Sequence, residues 1–173
     1  MLIRTLFSAA LLFCSPLYGQ TVKAQSSAND FVRSFYDWYA PLAQADHQGP
    51  AFQVALKRDA WIFSGELQRA LKADAAAQAK VDGEIVGLDF DPFLFSQDPD
   101  GRYEIGKVTR DENRQLFALH GVSEGKRRTK PSVLVEVRQQ SGRWIFINFY
   151  SPEGGDLLSI LKGLEEGREK LNR

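Results

Sequence analysis

Cysteine is nearly absent from this chain of 173 residues: one occurs, at position 14. Two histidines are present, and 22 lysines plus arginines balance 22 aspartates plus glutamates. So little cysteine excludes a disulfide framework, thiol catalysis in the mature chain and Cys-ligated zinc, and two histidines are too few for a histidine-rich metal centre. The lack of net charge argues against a polybasic nucleic-acid binder. Hydrophobic residues make up 43% of the chain. That is too many for disorder, and it fits a single soluble globular domain. Nucleophile-elbow, phosphate-loop and zinc-protease motifs are missing, and Gly83 with Gly87 make no nucleotide fingerprint. No cofactor is expected.

No apolar run reaches the roughly 20 residues of a membrane-spanning helix. Met1 to Ala24 read instead as a secretory signal peptide, with Arg4 as the positive region and Thr5 to Cys14 as the apolar stretch. Val22-Lys23-Ala24 supplies small residues at both recognition positions of a cleavage site. Cleavage after Ala24 leaves residues 25–173 as one α+β domain in the periplasm or outside the cell. It removes two cations and no acid, so the mature chain has an excess of two acids. Phe13 stands just before Cys14, where lipoprotein processing takes a small residue, and this favours free release over a lipid anchor.

The mature chain starts with helical patterning. Ser27 and Asp30 form a capping pair, and Phe31, Phe35, Trp38, Tyr39 and Leu42 recur on one face, with Pro41 expected to end or kink the helix near Ala40. Ser64 caps a further helix that buries Leu67, Leu71 and Ala75. From Tyr103 the period becomes two. Runs 103–109, 115–122, 132–138 and 143–150 read as four antiparallel strands, with 123–131 as a longer loop. The run 144–150 is apolar on both faces, which predicts a central strand covered on both sides. Asp156 caps a last helix with Leu157, Leu158, Ile160, Leu161 and Leu164 as its buried stripe.

The segment 88–98 mixes three acids with five large apolar residues. Pro92 pushes Asp91 into an extended conformation. With Asp89 extended as well, both carboxylates face one way and raise one pKa. Asp98-Pro99-Asp100-Gly101 carries the signature of a type I turn. The plainer alternative is that the apolar side chains plug the core while the carboxylates bond loop amides. Calcium is disfavoured, because Pro92 and Pro99 fix geometry that a calcium loop needs free.

Phe35 to Tyr39, Ser64 to Leu71, Leu88 to Phe93 with Gln97-Asp98, Trp144 to Tyr150 and the Leu-rich last helix together resemble the bacterial domain-of-unknown-function family 3828. The likeness covers nearly all of the mature chain. It implies N-terminal helices packed on a curved four-stranded antiparallel sheet plus a C-terminal helix. This is the nuclear-transport-factor-2-like or cystatin-like cone. No activity comes with the resemblance.

Candidate ligand-binding residues are Tyr36, Tyr39, Asp89, Asp91, Gln97, Asp98, His120 and Asn148, at the mouth or wall of the cone. No catalytic or metal-ligating set is assigned. Lys126, Arg127, Arg128 and Lys130 form a basic hairpin tip, which either keeps the sheet edge soluble or touches an anionic surface. Three functions are consistent with these residues. The leading one is a non-enzymatic envelope protein that binds a small apolar ligand or a protein partner. The others are an isomerase- or dehydratase-like enzyme using Asp89, Asp91 or His120, and an inhibitor or immunity protein against a cell-wall hydrolase. No nucleic-acid partner is expected.

Overall fold

The computed structural model describes residues 27–45 and 49–171, so the expected signal, Cys14 and His47 lie outside the described residues. Helix α1 (Ala28–Gln44) starts where Ser27 accepts a hydrogen bond from the Asp30 amide. Pro41 falls inside its last turn and the helix runs on to Gln44. The sequence alone predicts an end or a kink near Ala40. A proline so close to the C-terminus removes a single intrahelical bond, and the Ala45 amide closes the turn on the Pro41 and Leu42 carbonyls.

Helix α2 (Ala51–Asp59) and a single 3-10 turn (Ala60–Ile62) lead into α3 (Gly65–Gln78), capped by Ser64. Strands β1 (Tyr103–Asp111), β2 (Arg114–Ser123), β3 (Lys126–Arg127), β4 (Val133–Gln140) and β5 (Arg143–Tyr150) follow, then α4 (Leu157–Leu171). The α+β class is as expected, but the antiparallel sheet has five strands, not four. Its main order is β1-β2-β4-β5, and β3 pairs with β2. The extra strand arises because Glu124 (φ 51°) and Gly125 (φ 74°) make the tight primed turn that lets Arg127 pair with Val122.

β5 is an edge strand, not a central one. A meander puts its last strand at the border, and part of that border is covered by the chain entering α3. There Phe63 bridges Phe146, and the Ser64 amide donates to the Phe146 carbonyl at 2.8 Å. The doubly apolar pattern has another cause. Phe146 and Phe149 face the helices, whereas Ile145 is buried on the other side, apart from the core.

The core is aromatic. The Phe93 ring stacks on Phe63 at 4.9 Å and lies 4.8 Å from Phe149, 5.3 Å from Tyr39 and 5.8 Å from Phe35. Phe35 in turn stacks on Tyr39 at 4.9 Å and meets Phe146 at 4.8 Å. These rings fill the space between α1 and the sheet. Leu157 and Leu161 of α4 join them, but Ile160 and Leu164 are half-buried outside the core.

One buried ion pair holds α3, α4 and the following loop together. Arg168 donates to Asp74 at 2.7 Å and to the Val86 carbonyl at 2.9 Å, and Asp74 also accepts the Leu88 amide. A side chain on Gly87 would overlap the Asp74 carboxylate. Asp74→Ala leaves Arg168 and the Leu88 amide without their partner, so urea unfolding is expected to show a loss of about 3–5 kcal/mol.

Candidate functional site

Asp91 is held by the loop that it organises. Its Oδ1 accepts the amides of Phe93 (3.0 Å) and Leu94 (3.1 Å), its Oδ2 accepts the Tyr39 hydroxyl (2.6 Å), and its own amide donates to the Ser96 carbonyl. An aspartate bonding the backbone two and three residues on is the side-chain turn characteristic of this residue type. The turn closes with Phe95 at φ 50°, a left-handed conformation that is strained for a large side chain. In exchange, Phe93 and Leu94 enter the core with no exposed surface. The Tyr36 hydroxyl completes the latch by donating to the Phe93 carbonyl at 2.7 Å.

Burial first, with Asp91 adding to it, pushes the phenols of Tyr36 and Tyr39 well above their usual range. Both therefore stay neutral donors. Asp89 is exposed and accepts the Gln97 amide at 3.1 Å, so the two carboxylates expected side by side have different partners. The exposed Asp98 uses its backbone amide on the Ser96 hydroxyl. Asp89, Asp91, Gln97 and Phe90 line a shallow depression of about 310 Å³.

His120 and Asn148 stand apart from this segment. His120 alternates along β2 with the core residues Phe117 and Leu119 and so faces away from the helices. It is 8% exposed, and its Nδ1 donates to the Arg128 carbonyl at 2.9 Å, because a carbonyl oxygen can only accept. A side chain on Gly106 would overlap the imidazole. Asn148 connects β5 to α4: its amide nitrogen donates to Asp156 at 2.6 Å, and its oxygen accepts the amides of Phe149 and Leu158. Tyr36, Tyr39 and Asp91 are brought together, as are Asp89 and Gln97.

A polar cleft of about 980 Å³ opens between the 94–100 loop, the 128–132 loop and the start of the β5–α4 connection. Its floor is the Asp100–Arg128 pair, a two-pronged contact at 2.6 and 2.9 Å with Asp100 only 8% exposed. A side chain on Gly121 would overlap the Asp100 carboxylate, so β2 carries glycine there. Tyr103 is a third wall, its phenol pushed up by burial and by Asp100. Asp98 and Lys130 line the rim. The basic tip is thus partly neutralised within the chain, Arg128 by Asp100 and Arg127 by Glu104 at 3.9 Å. Among the described residues no three acids or histidines gather closely enough to hold a metal ion.

The sequence reading missed Glu136. It lies on β4 amid Val133, Val135 and Val137, yet points to the opposite face, where its side chain is 3% exposed. Tyr150 donates to it at 2.5 Å, Arg138 at 2.9 Å, and Arg114 approaches at 3.3 Å. Burial first and then Glu136 push the Tyr150 phenol up to about 12. The available signal was an acid in the middle of an apolar strand with an arginine two positions on, which places both on one face.

Comparisons with protein-family models, curated proteins and solved structures return no match.

If Asp91 is a structural latch, Asp91→Ala should lower stability in urea by about 3 kcal/mol by orphaning two amides and a phenol, and Asp89→Ala should stay within about 0.5 kcal/mol. Asp156 provides a pH-dependent counterpart. Burial pushes its pKa up, but hydrogen bonds from Asn148 and Ser159 outweigh this and hold it below the ordinary carboxylate value. A depressed folded-state pKa stabilises the fold above the unfolded value, and this contribution is lost as pH falls through the folded one. The stability gap between the native chain and Asp156→Ala should be full above about pH 5 and narrow in acid, as measured by urea titration at each pH.

Proposed function

We propose that the protein is an exported, non-enzymatic binding protein of the cone-shaped α+β type that engages a protein partner on its open surfaces. The observation that carries this reading is the aromatic packing around Phe93, which fills the space between α1 and the sheet and leaves no room there for an apolar ligand. The surroundings of the nominated acid–base groups support the same reading. Asp91 bonds two loop amides and Tyr39, and His120 bonds a backbone carbonyl on the other side of the sheet. A general base needs to reach a substrate proton, and a carboxylate holding its own loop in shape is poorly placed for that. The accessible polar chemistry lies in the cleft floored by Asp100 and Arg128 and around Glu136.

Native mass spectrometry of the protein exported by its own signal tests this proposal. The expected species is residues 25–173 with no lipid adduct. A stoichiometric co-purifying lipid would overturn it, since the core would then have to open around an apolar ligand.

A further inference from the structure

The cleft floored by Asp100 and Arg128 is lined by hydroxyls held in one common way. Three serines in its walls each accept a backbone amide: Ser96 that of Asp98 at 3.1 Å, Ser132 that of Gly121 at 3.2 Å and Ser151 that of Glu153 at 3.2 Å. The Tyr103 oxygen likewise accepts the Asp100 amide. Each hydroxyl is therefore fixed through its oxygen and keeps its proton to donate. Among the described residues none of these four protons has a protein acceptor. Tyr103 matters most here, since it is only 9% exposed, lines the cleft and so leaves a buried donor unanswered.

The charges around these donors disfavour an ionic guest. Asp98, Asp100 and Glu153 outnumber Arg128 and Lys130 by one, and Asp100 and Arg128 are already bound to each other. An anion would meet the carboxylates of Asp98 and Glu153, which accept no hydrogen bond and form no ion pair among the described residues. A cation would meet Lys130 and a row of O–H donors. A neutral molecule rich in hydroxyls answers both sets, because each of its oxygens can accept from one wall and donate to another. The half-buried ring of Phe95 adds an apolar wall, and its φ of 50° is strain of the kind that folds keep at ligand sites. The negative face of an aromatic ring attracts the C–H groups of a sugar ring.

We propose that this cleft binds a neutral carbohydrate, a short oligosaccharide whose ring hydroxyls accept from Tyr103 and the serines and donate to Asp98 and Glu153, with one C–H face on Phe95. At about 980 Å³ the cleft is at the upper end of the roughly 300–1,000 Å³ common for ligand sites. An extended peptide fits less well. Peptides are held by strand addition or by apolar grooves, whereas these walls are mainly polar loops. Sugar binding here is additional to the partner binding proposed above and does not depend on it.

The test uses the full exported protein labelled with ¹⁵N, titrated separately with maltotriose, cellotriose and triacetylchitotriose. At least one of these sugars is expected to move the amides of residues 94–100, 128–132 and 151–153 and to saturate them. Added salt should change the affinity by less than about twofold, because no net charge is paired on binding. Tyr103→Phe deletes only the hydroxyl and should weaken binding about three- to tenfold. Asp98→Ala combined with Glu153→Ala should weaken it about tenfold or more. Both of those side chains are exposed, so the double variant keeps the proposal falsifiable if Tyr103→Phe does not fold. No response to any of the three sugars, a response outside these segments, or an affinity unchanged by the substitutions would overturn the site. Saturation by inorganic phosphate or by a Gly-Ser-Gly peptide in place of the sugars would overturn it as well. Failure of the partner reading has its own signature, the lipid adduct in the mass spectrum.

Discussion

The fold depends on one insertion: Phe93, carried by a segment without regular structure, placed at the centre of the aromatic core. Its ring meets Phe63, Tyr39, Phe35 and Phe149, so it joins α1, the entry to α3 and β5. A backbone that enters a core brings polar groups with it, and leaving them unpaired would cost about 1–3 kcal/mol each. Asp91 and Tyr36 answer that demand by bonding the amides of Phe93 and Leu94 and the carbonyl of Phe93. The carboxylate that sequence reasoning offered as a ligand or base is thus required by the packing of the residue two positions on.

The remaining buried acids follow a common rule with one exception. Asp74 is matched by Arg168, and Asp100 by Arg128, one acid to one cation, and each pair joins segments distant in sequence. Glycine stands where a side chain would collide with each carboxylate, Gly87 beside Asp74 and Gly121 beside Asp100. Glu136 departs from this pattern by having two arginines and a tyrosine. The first two pairs are tied to chain connection, whereas the third sits within the sheet, whose ladder already joins β2, β4 and β5.

Local patterns made much of this legible in advance. Ser27, Ser64 and Asp156 are caps in sequence and in structure, and the change to period two at Tyr103 marks the start of the sheet. Competition between local and tertiary demands was harder to read. Pro41 breaks a helix in isolation but is tolerated in a last turn held against the core by Tyr39 and Ala40. The apolar run of β5 suggested a central strand. Two-sided burial requires only that both faces be shielded, and sequence does not say which neighbour does it. The pairing of Asp100 with Arg128, 28 positions away, depends on the primed turn at Glu124 and Gly125 bringing the basic loop back over β2.

For Glu136 the question is why an acid is kept under a sheet face. Replacing a buried ion cluster with apolar residues of similar volume is often neutral or stabilising, because charges are costly to remove from water. Valine or leucine at position 136 would continue the layer formed by Leu116, Leu134 and Ile145, and the ladder contacts on either side would remain. Folding alone therefore gives little reason for a carboxylate there. A carboxylate beneath two half-exposed guanidiniums does what an apolar residue cannot, since it fixes the direction of both. Removing it would free the arginines to separate, as their opposed positions in the ladder favour. The cost of burying Glu136 is thus tied to the geometry of the two guanidiniums above it.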